Sequence, residues 1–312
     1  MPAGNVDSVP VPPEHIPPEH VSREHAPPEH APPEPVAPEP LAPPARQPRR
    51  AGGKWGDLLV RILSALVLVP LALGGIWAGA LPWVALVVLI AGGLGVEWVA
   101  LCHETWRSVA GLGVILSLVS TAVAGSVSPL AALLLAALAI TLALILRGPR
   151  LGGGILYIAL ATIALLWLRA DPAAGRGNLL FLMLTVWASD IGAYLAGRLI
   201  GGAKLAPRIS PGKTWSGGLG GLLGAIVIGL AASRLGGGAP LHAGLVAALL
   251  GVIAQAGDLF ESFLKRRFGV KDSSHLIPGH GGLLDRLDGV LAAAPVAAML
   301  ALIIGRGGSL WM

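Results

Sequence analysis

Runs of about 18 or more predominantly apolar residues recur from Leu58 to Ile304, separated by short polar or Gly/Pro-rich breaks. That is the length an α-helix needs to cross the hydrocarbon core of a bilayer. The pattern predicts spans near 58–78, 81–101, 109–126, 129–146, 152–168, 178–199, 215–235, 243–264 and 287–305. The expected fold class is all-α: a polytopic integral membrane protein with about nine transmembrane helices. The start of the chain breaks the pattern. Residues 11–40 form a degenerate five-residue repeat, "VPPEHIPPEHVSREHAPPEHAPPEPVAPEP". So much proline removes backbone donors and favours extended structure without a core. Residues 1–54 are therefore expected to be a disordered Pro-rich tail ending in a basic juxtamembrane segment, and 55–312 the membrane domain. No apolar signal segment precedes the first span, which is expected to serve as the insertion signal itself.

Composition agrees. Hydrophobic residues make up 54% and charged residues 12%, against about 25% charge in soluble domains. A single cysteine, Cys102, excludes an intramolecular disulfide framework. The net charge of +5 hides an asymmetry: residues 1–45 carry one Arg against seven acidic residues, and 46–312 carry 21 basic against 10 acidic. With the N-terminus on the cytoplasmic side, 17 of those 21 cations fall in inside segments. Only Arg169, Arg176, Arg234 and Arg306 fall outside, as the positive-inside bias requires. The same scheme gathers Asp190, Asp258, Glu261, Asp272, Asp285 and Asp288 into two charge-rich inside loops and the helix ends beside them. That clustering locates the candidate chemistry.

The first constellation is "SDIGAYLAGRLIGGAKLAPRISPGKTWSGG", residues 189–218. Asp190 lies within an apolar run, where a charge costs a few kcal/mol or more and marks a functional site by default. The plainer reading is a packing ion pair with an Arg. Arg198, Lys204, Arg208 and Lys213, with the hydroxyls of Ser210 and Thr214, suit phosphate oxygens on a Gly/Pro-rich loop. "PRISPGKT" falls short of a Walker P-loop, because Pro207 takes the first glycine position and no strand is expected before it. Gly217/Gly221 and Gly220/Gly224 give small-xxx-small spacing, read as close helix packing and compatible with a homodimer.

The second constellation is "GDLFESFLKRRFGVKDSSHLIPGHGGLLDRLDG", residues 257–289. Asp258 and Glu261 share a helix face at i, i+3, and Asp285 and Asp288 repeat the spacing where the last helix should begin. Four carboxylates at two helix mouths can converge on a hard cation such as Mg²⁺, which takes carboxylates together with substrate phosphates. Lys265, Arg266, Arg267, Lys271 and Arg286 would hold the remaining phosphate charge. The plainer readings are N-terminal capping by the two Asp residues and a basic anchor at 265–267. Neither explains "PGHGG", where glycines expose amide donors around His280. The residues taken together describe nucleotide phosphate chemistry at a membrane.

"SFLKRRFGVKDSSHLIPGHGGLLDRLD", residues 262–288, resembles the signature of phosphatidate cytidylyltransferases, also called CDP-diacylglycerol synthases: S-x-x-K-R, then K-D, H-G-G and D-R-x-D. Ser262, Lys265, Arg266, Lys271, Asp272, His280, Gly281, Gly282, Asp285, Arg286 and Asp288 all match. Residues 189–218 resemble the family's second motif, departing at Ser216, where many members carry Glu. The similarity covers about 180–305, and 56–180 match only as generic spans.

The resemblance implies CTP + phosphatidate → CDP-diacylglycerol + pyrophosphate, with Mg²⁺ as cofactor and a second cation left open. By similarity, Asp258 and Asp285 are the leading metal ligands and Asp288 and Asp190 the next. Lys213, Lys265, Arg266, Lys271, His280 and Arg286 would contact phosphates, with Ser210, Thr214, Asp272, Gly281 and Gly282 on the substrate side. The expected partners are CTP, phosphatidate and membrane lipid, with no nucleic acid. The expected location is a bacterial inner membrane, with the site on its cytoplasmic side. Two rivals remain at this stage: a related CTP-dependent lipid or polyprenol kinase, and a transporter using the carboxylates as ion sites. The transporter lacks support because no internal repeat is visible and the charges gather at one face.

Overall fold

The apolar runs fold as helices in the computed structural model, which describes residues 66, 69–270, 274 and 282–312. The tail and most of the first predicted span before residue 69 lie outside the described residues. Helix α1 is described over Val69–Ala78. It is followed by α2 (Ala80–Leu101), α3 (Val109–Val127), α4 (Pro129–Arg147), α5 (Pro149–Ala170) and α6 (Gly175–Leu199). A hairpin of β1 (Lys204–Ala206) and β2 (Ser210–Thr214) comes next, then α7 (Trp215–Gly236), α8 (Pro240–Arg267) and α9 (Leu284–Ile304). Among the described residues, α2 to α9 give eight helices long and apolar enough to cross a membrane. The chain is a multi-pass membrane protein.

Local chemistry sets the helix ends. Pro129, Pro149 and Pro240 open α4, α5 and α8, where a missing N–H costs nothing. Ser128 closes α3 and its hydroxyl accepts from Ala131 N at 3.3 Å to cap α4. Helix α8 overruns its predicted bounds by a turn at each end, because its polar last turn still hydrogen-bonds as helix.

Helix α5 is the hub: 72% of its apolar window is buried, against 11% for α4, whose Leu134, Leu138 and Ile145 are exposed where lipid would lie. With no hydrophobic drive between helices in lipid, close approach depends on small residues. The glycines of α7 serve that purpose against α6: a Cβ on Gly220 would stand 2.6 Å from Gly192 O, and one on Gly221 2.8 Å from Ser189 O. This ridge is occupied within the chain, which removes the sequence argument for a homodimer.

The hairpin corrects one expectation. A strand does precede Pro207, since β1 pairs antiparallel with β2. The segment is still not a P-loop, because "PGKT" lies on β2 itself and its last residue caps α7, with Thr214 Oγ1 accepting from Gly217 N at 3.1 Å.

The helix ends sort into two sets. At one, Arg169 Nε donates to Ile76 O at 2.9 Å, Gly307 N to Asp171 Oδ2 at 2.7 Å, and Leu310 N to Asn178 Oδ1 at 2.9 Å. At the other, Trp98 Nε1 donates to Arg150 O at 3.1 Å and His103 Nε2 to Phe268 O at 3.0 Å. The hairpin and the acidic ends of α8 and α9 belong to the second set.

Candidate active site

One cavity of about 590 Å³ draws its lining from α6, the hairpin, α7, α8 and α9. Helix α6 contributes Asp190, Tyr194 and Arg198, spaced i, i+4, i+8 and so on one face. Arg198 Nη1 donates to Tyr194 Oη at 2.7 Å. Strand β2 brings Lys213 into the same space, and α8 brings Gln255 and Asp258. Gln255 Nε2 ties the wall together by donating to Ser189 Oγ at 3.2 Å on α6 and Gly218 O at 3.3 Å on α7. Asp285, Arg286 and Asp288 arrive from the first turns of α9.

Helices α8 and α9 meet at glycine. A Cβ on Gly257 would stand 2.7 Å from Asp288 O, so only glycine there lets the two acidic helix ends converge. Helix α5 holds the same turn of α9, with Tyr157 Oη donating to Asp288 O at 3.1 Å.

The charges are arranged in two groups. Lys213 Nζ lies 2.6 Å from Asp258 Oδ2. Lys265 Nζ lies 2.5 Å from Asp285 Oδ1 and 3.5 Å from Glu261 Oε1, while Gly282 N donates to Asp285 Oδ2 at 2.9 Å. Carboxylate oxygens of Asp258, Glu261 and Asp288 lie within 4.8 Å of one another. Glu261 is 1% exposed, and neither of its oxygens accepts a hydrogen bond from a described residue. With only the ion pair to Lys265 at 3.5 Å to offset its burial, that carboxylate is still costly, and a hard cation coordinated by oxygen is what such a set fits.

Asp190, Lys213, Thr214, Asp258, Asp285, Arg286 and Asp288, all singled out in the sequence, line the cavity. Thr214's hydroxyl is occupied in capping α7. Lys265 reaches the site through Asp285, Gly282 through its amide, and Arg266 Nε instead donates to Ile209 O at 3.4 Å. Ser210 opens β2 away from the lining. Ser216 Oγ, at the departure from the family pattern, donates to Gly201 O at 2.5 Å and closes the hairpin onto α7. Lys271, Asp272, His280 and Gly281 lie outside the described residues.

Sequence reasoning left two carboxylates out of the site. The sequence counts Glu261 among the four carboxylates that can converge on a cation but not among the named metal ligands, whereas the structure brings it within 4.8 Å of Asp258 and Asp288. Glu97 sits in the apolar run of α2 and is 0% exposed. It accepts from Leu283 N at 2.6 Å, Leu284 N at 2.7 Å and Ser274 Oγ at 2.6 Å. The intramembrane-charge argument used for Asp190 would have found it.

Comparison with known proteins gives the family. A model of the cytidylyltransferase family matches residues 59–304. Over 268 residues the chain is 36% identical to the phosphatidate cytidylyltransferase of Brucella suis biovar 1 (strain 1330), covering 80% of this chain and 95% of that protein. With the phosphatidate cytidylyltransferase of Pseudomonas aeruginosa the identity is 41% over 271 residues, 79% of this chain and 98% of the relative. With that of Haemophilus influenzae it rises to 47% over 131 residues, 40% of this chain and 46% of the relative. The chain therefore belongs to the cytidylyltransferase family.

Proposed function

We propose that the chain is a phosphatidate cytidylyltransferase, joining CTP and phosphatidate to give CDP-diacylglycerol and pyrophosphate. The observation that carries this reading is the cavity where Lys213 and Arg286 meet the carboxylates of Asp258, Asp285 and Asp288 beside membrane-facing helices. A phosphate oxygen of phosphatidate attacks the α-phosphorus of CTP in line; the new P–O bond forms as the bond to the β-phosphate breaks, and pyrophosphate leaves. The lipid phosphate is already ionised near neutral pH, so the site needs no strong base. Its work is to hold two anions together and offset their repulsion. Lys213 and Arg286 supply the cationic contacts, and Lys265 fixes Asp285. Asp258, Glu261 and Asp288 would hold Mg²⁺, which supplies charge neutralisation for the polyphosphate. Phosphatidate approaches along α6, where the Arg198–Tyr194 pair borders exposed Ile191, Leu195 and Leu199. The cytoplasmic face of a bacterial inner membrane suits this site, because the cations concentrate at that set of helix ends and CTP is cytosolic.

Purified protein in detergent, given α-³²P-labelled CTP, phosphatidate and Mg²⁺, is expected to move label into lipid with release of pyrophosphate. Asp285→Asn, folded as the wild type, is expected to be about 10²–10³-fold slower. Label appearing in CDP would identify γ-phosphoryl transfer and end the proposal.

A further inference from the structure

The carboxyl end of α2 braces the site from outside the cavity. Helix α9 carries Asp285 and Asp288 in its first turns, and no side chain of its own caps it. The first N–H groups of a helix need acceptors, and in a membrane protein water is a poor substitute. Glu97, on a different helix and nearly two hundred residues earlier in sequence, supplies them: Oε1 accepts from Leu283 N and Oε2 from Leu284 N. Its carboxylate also suits the positive end of the helix dipole. Ser274 Oγ is bound to the same carboxylate. Just past the end of α2, His103 Nε2 donates to Phe268 O, just past α8. His103 has a positive φ of 60°, a backbone state uncommon outside glycine. Leu283 also packs over Gly93, at 3.1 Å from where a Cβ would be. The exit of α8 and the start of α9 are thus both referenced to α2.

We propose that Glu97 is a positioning residue for the reaction: by capping α9 from α2, it sets the height and rotation at which Asp285 and Asp288 enter the cavity. The inference rests on the cytidylyltransferase reading above. It adds a second hold from the N-terminal half of the membrane domain on the start of α9, beside that of Tyr157 on Asp288 O. A neutral amide of the same shape cannot replace the carboxylate, since Gln offers one acceptor where two N–H groups and a hydroxyl converge, and turns an NH₂ toward donors.

The test compares Glu97→Gln, Glu97→Asp and Asn178→Ala with the wild type in the labelled-CTP assay, with thermal stability and kcat and KM measured for each. Asn178 is buried at the far end of α6, where it holds Leu310 N and Gly308 O, so its truncation controls for loss of stability alone. Glu97→Gln is expected to lower kcat by about 10–100-fold, the cost of a misplaced supporting group, with a smaller change in KM for CTP. Glu97→Asp, which keeps both oxygens, is expected to recover part of kcat. Asn178→Ala is expected to lose stability while keeping kcat. Should Glu97→Gln not fold, Glu97→Asp is judged alone, by whether kcat falls further than in an equally destabilised Asn178→Ala. Normal kcat per folded molecule in the Glu97 variants, or a loss matched by Asn178→Ala, overturns the inference. A wild type that transfers no label to lipid fails the functional reading instead.

Discussion

Lys213 and Asp258 stand 2.6 Å apart with side chains 24% and 39% exposed. A pair that open to solvent contributes little to stability, which leaves function as the better account of why both face the cavity. Lys213 is a compact point charge delivered by a short strand, able to leave Asp258 for a phosphate oxygen without moving a helix. Lys213→Met is expected to lower turnover by about 10²–10³-fold while leaving thermal stability within about 0.5 kcal/mol. Lys213→Arg should retain part of the activity, because the charge is kept but the planar fork differs from an ammonium. A Lys213→Met protein as active as wild type, or one that fails to fold, would remove Lys213 from the phosphate site. Lys265 is the contrasting case. Its side chain is 14% exposed and its ammonium lies between Asp285 and Glu261, so it orders carboxylates and does not face the cavity.

At the scale of elements, the site depends on two helix crossings. Helices α6 and α7 close on glycine at Gly220, and α8 and α9 close on glycine at Gly257. A methyl at either place meets backbone, and forcing it in typically costs about 1–3 kcal/mol. The crossings differ in what they carry. Gly220→Ala is expected to lower stability with a modest effect on turnover. Gly257→Ala is expected to cost similar stability and at least about 10-fold in kcat, because it pushes on the backbone of Asp288, whose carboxylate lies beside those of Asp258 and Glu261. Equal kcat losses in the two variants would show that the α8–α9 crossing has no special hold on the site. These crossings also show what a sequence discloses. The spans were legible from hydropathy because lipid demands long apolar runs, and glycine spacing announced close packing. Asp190, Asp258, Asp285 and Asp288 stood out because charge is rare in such runs. The partner of the glycine ridge was not legible: spacing is the same whether the facing helix belongs to this chain or a second copy. The hairpin was missed because three- and five-residue strands leave no periodic signal. Glu97 was overlooked because its partners are backbone amides nearly two hundred positions away.

At the scale of the whole molecule, the remaining question is which side of the membrane the cavity faces. The helix ends divide into one set around Asp171, Asn178 and Gly307 and another around the hairpin and the start of α9. Arg208, in the exposed turn between β1 and β2, and Arg306, exposed beyond α9, mark the two sets. Impermeant thiol labelling tests their sides directly. Background is low, since Cys102, the one native cysteine, has its thiol pushed up to about 11 by burial, and a thiol attacks as thiolate. With the protein in its native orientation in intact cells, Arg306→Cys is expected to react with an impermeant maleimide, and Arg208→Cys only after the membrane is opened. The opposite pattern would leave the cavity facing away from cytosolic CTP and defeat the proposed reaction. Labelling of both from one side would mean an even number of crossings between residues 208 and 306, against the three helices α7, α8 and α9 that join them.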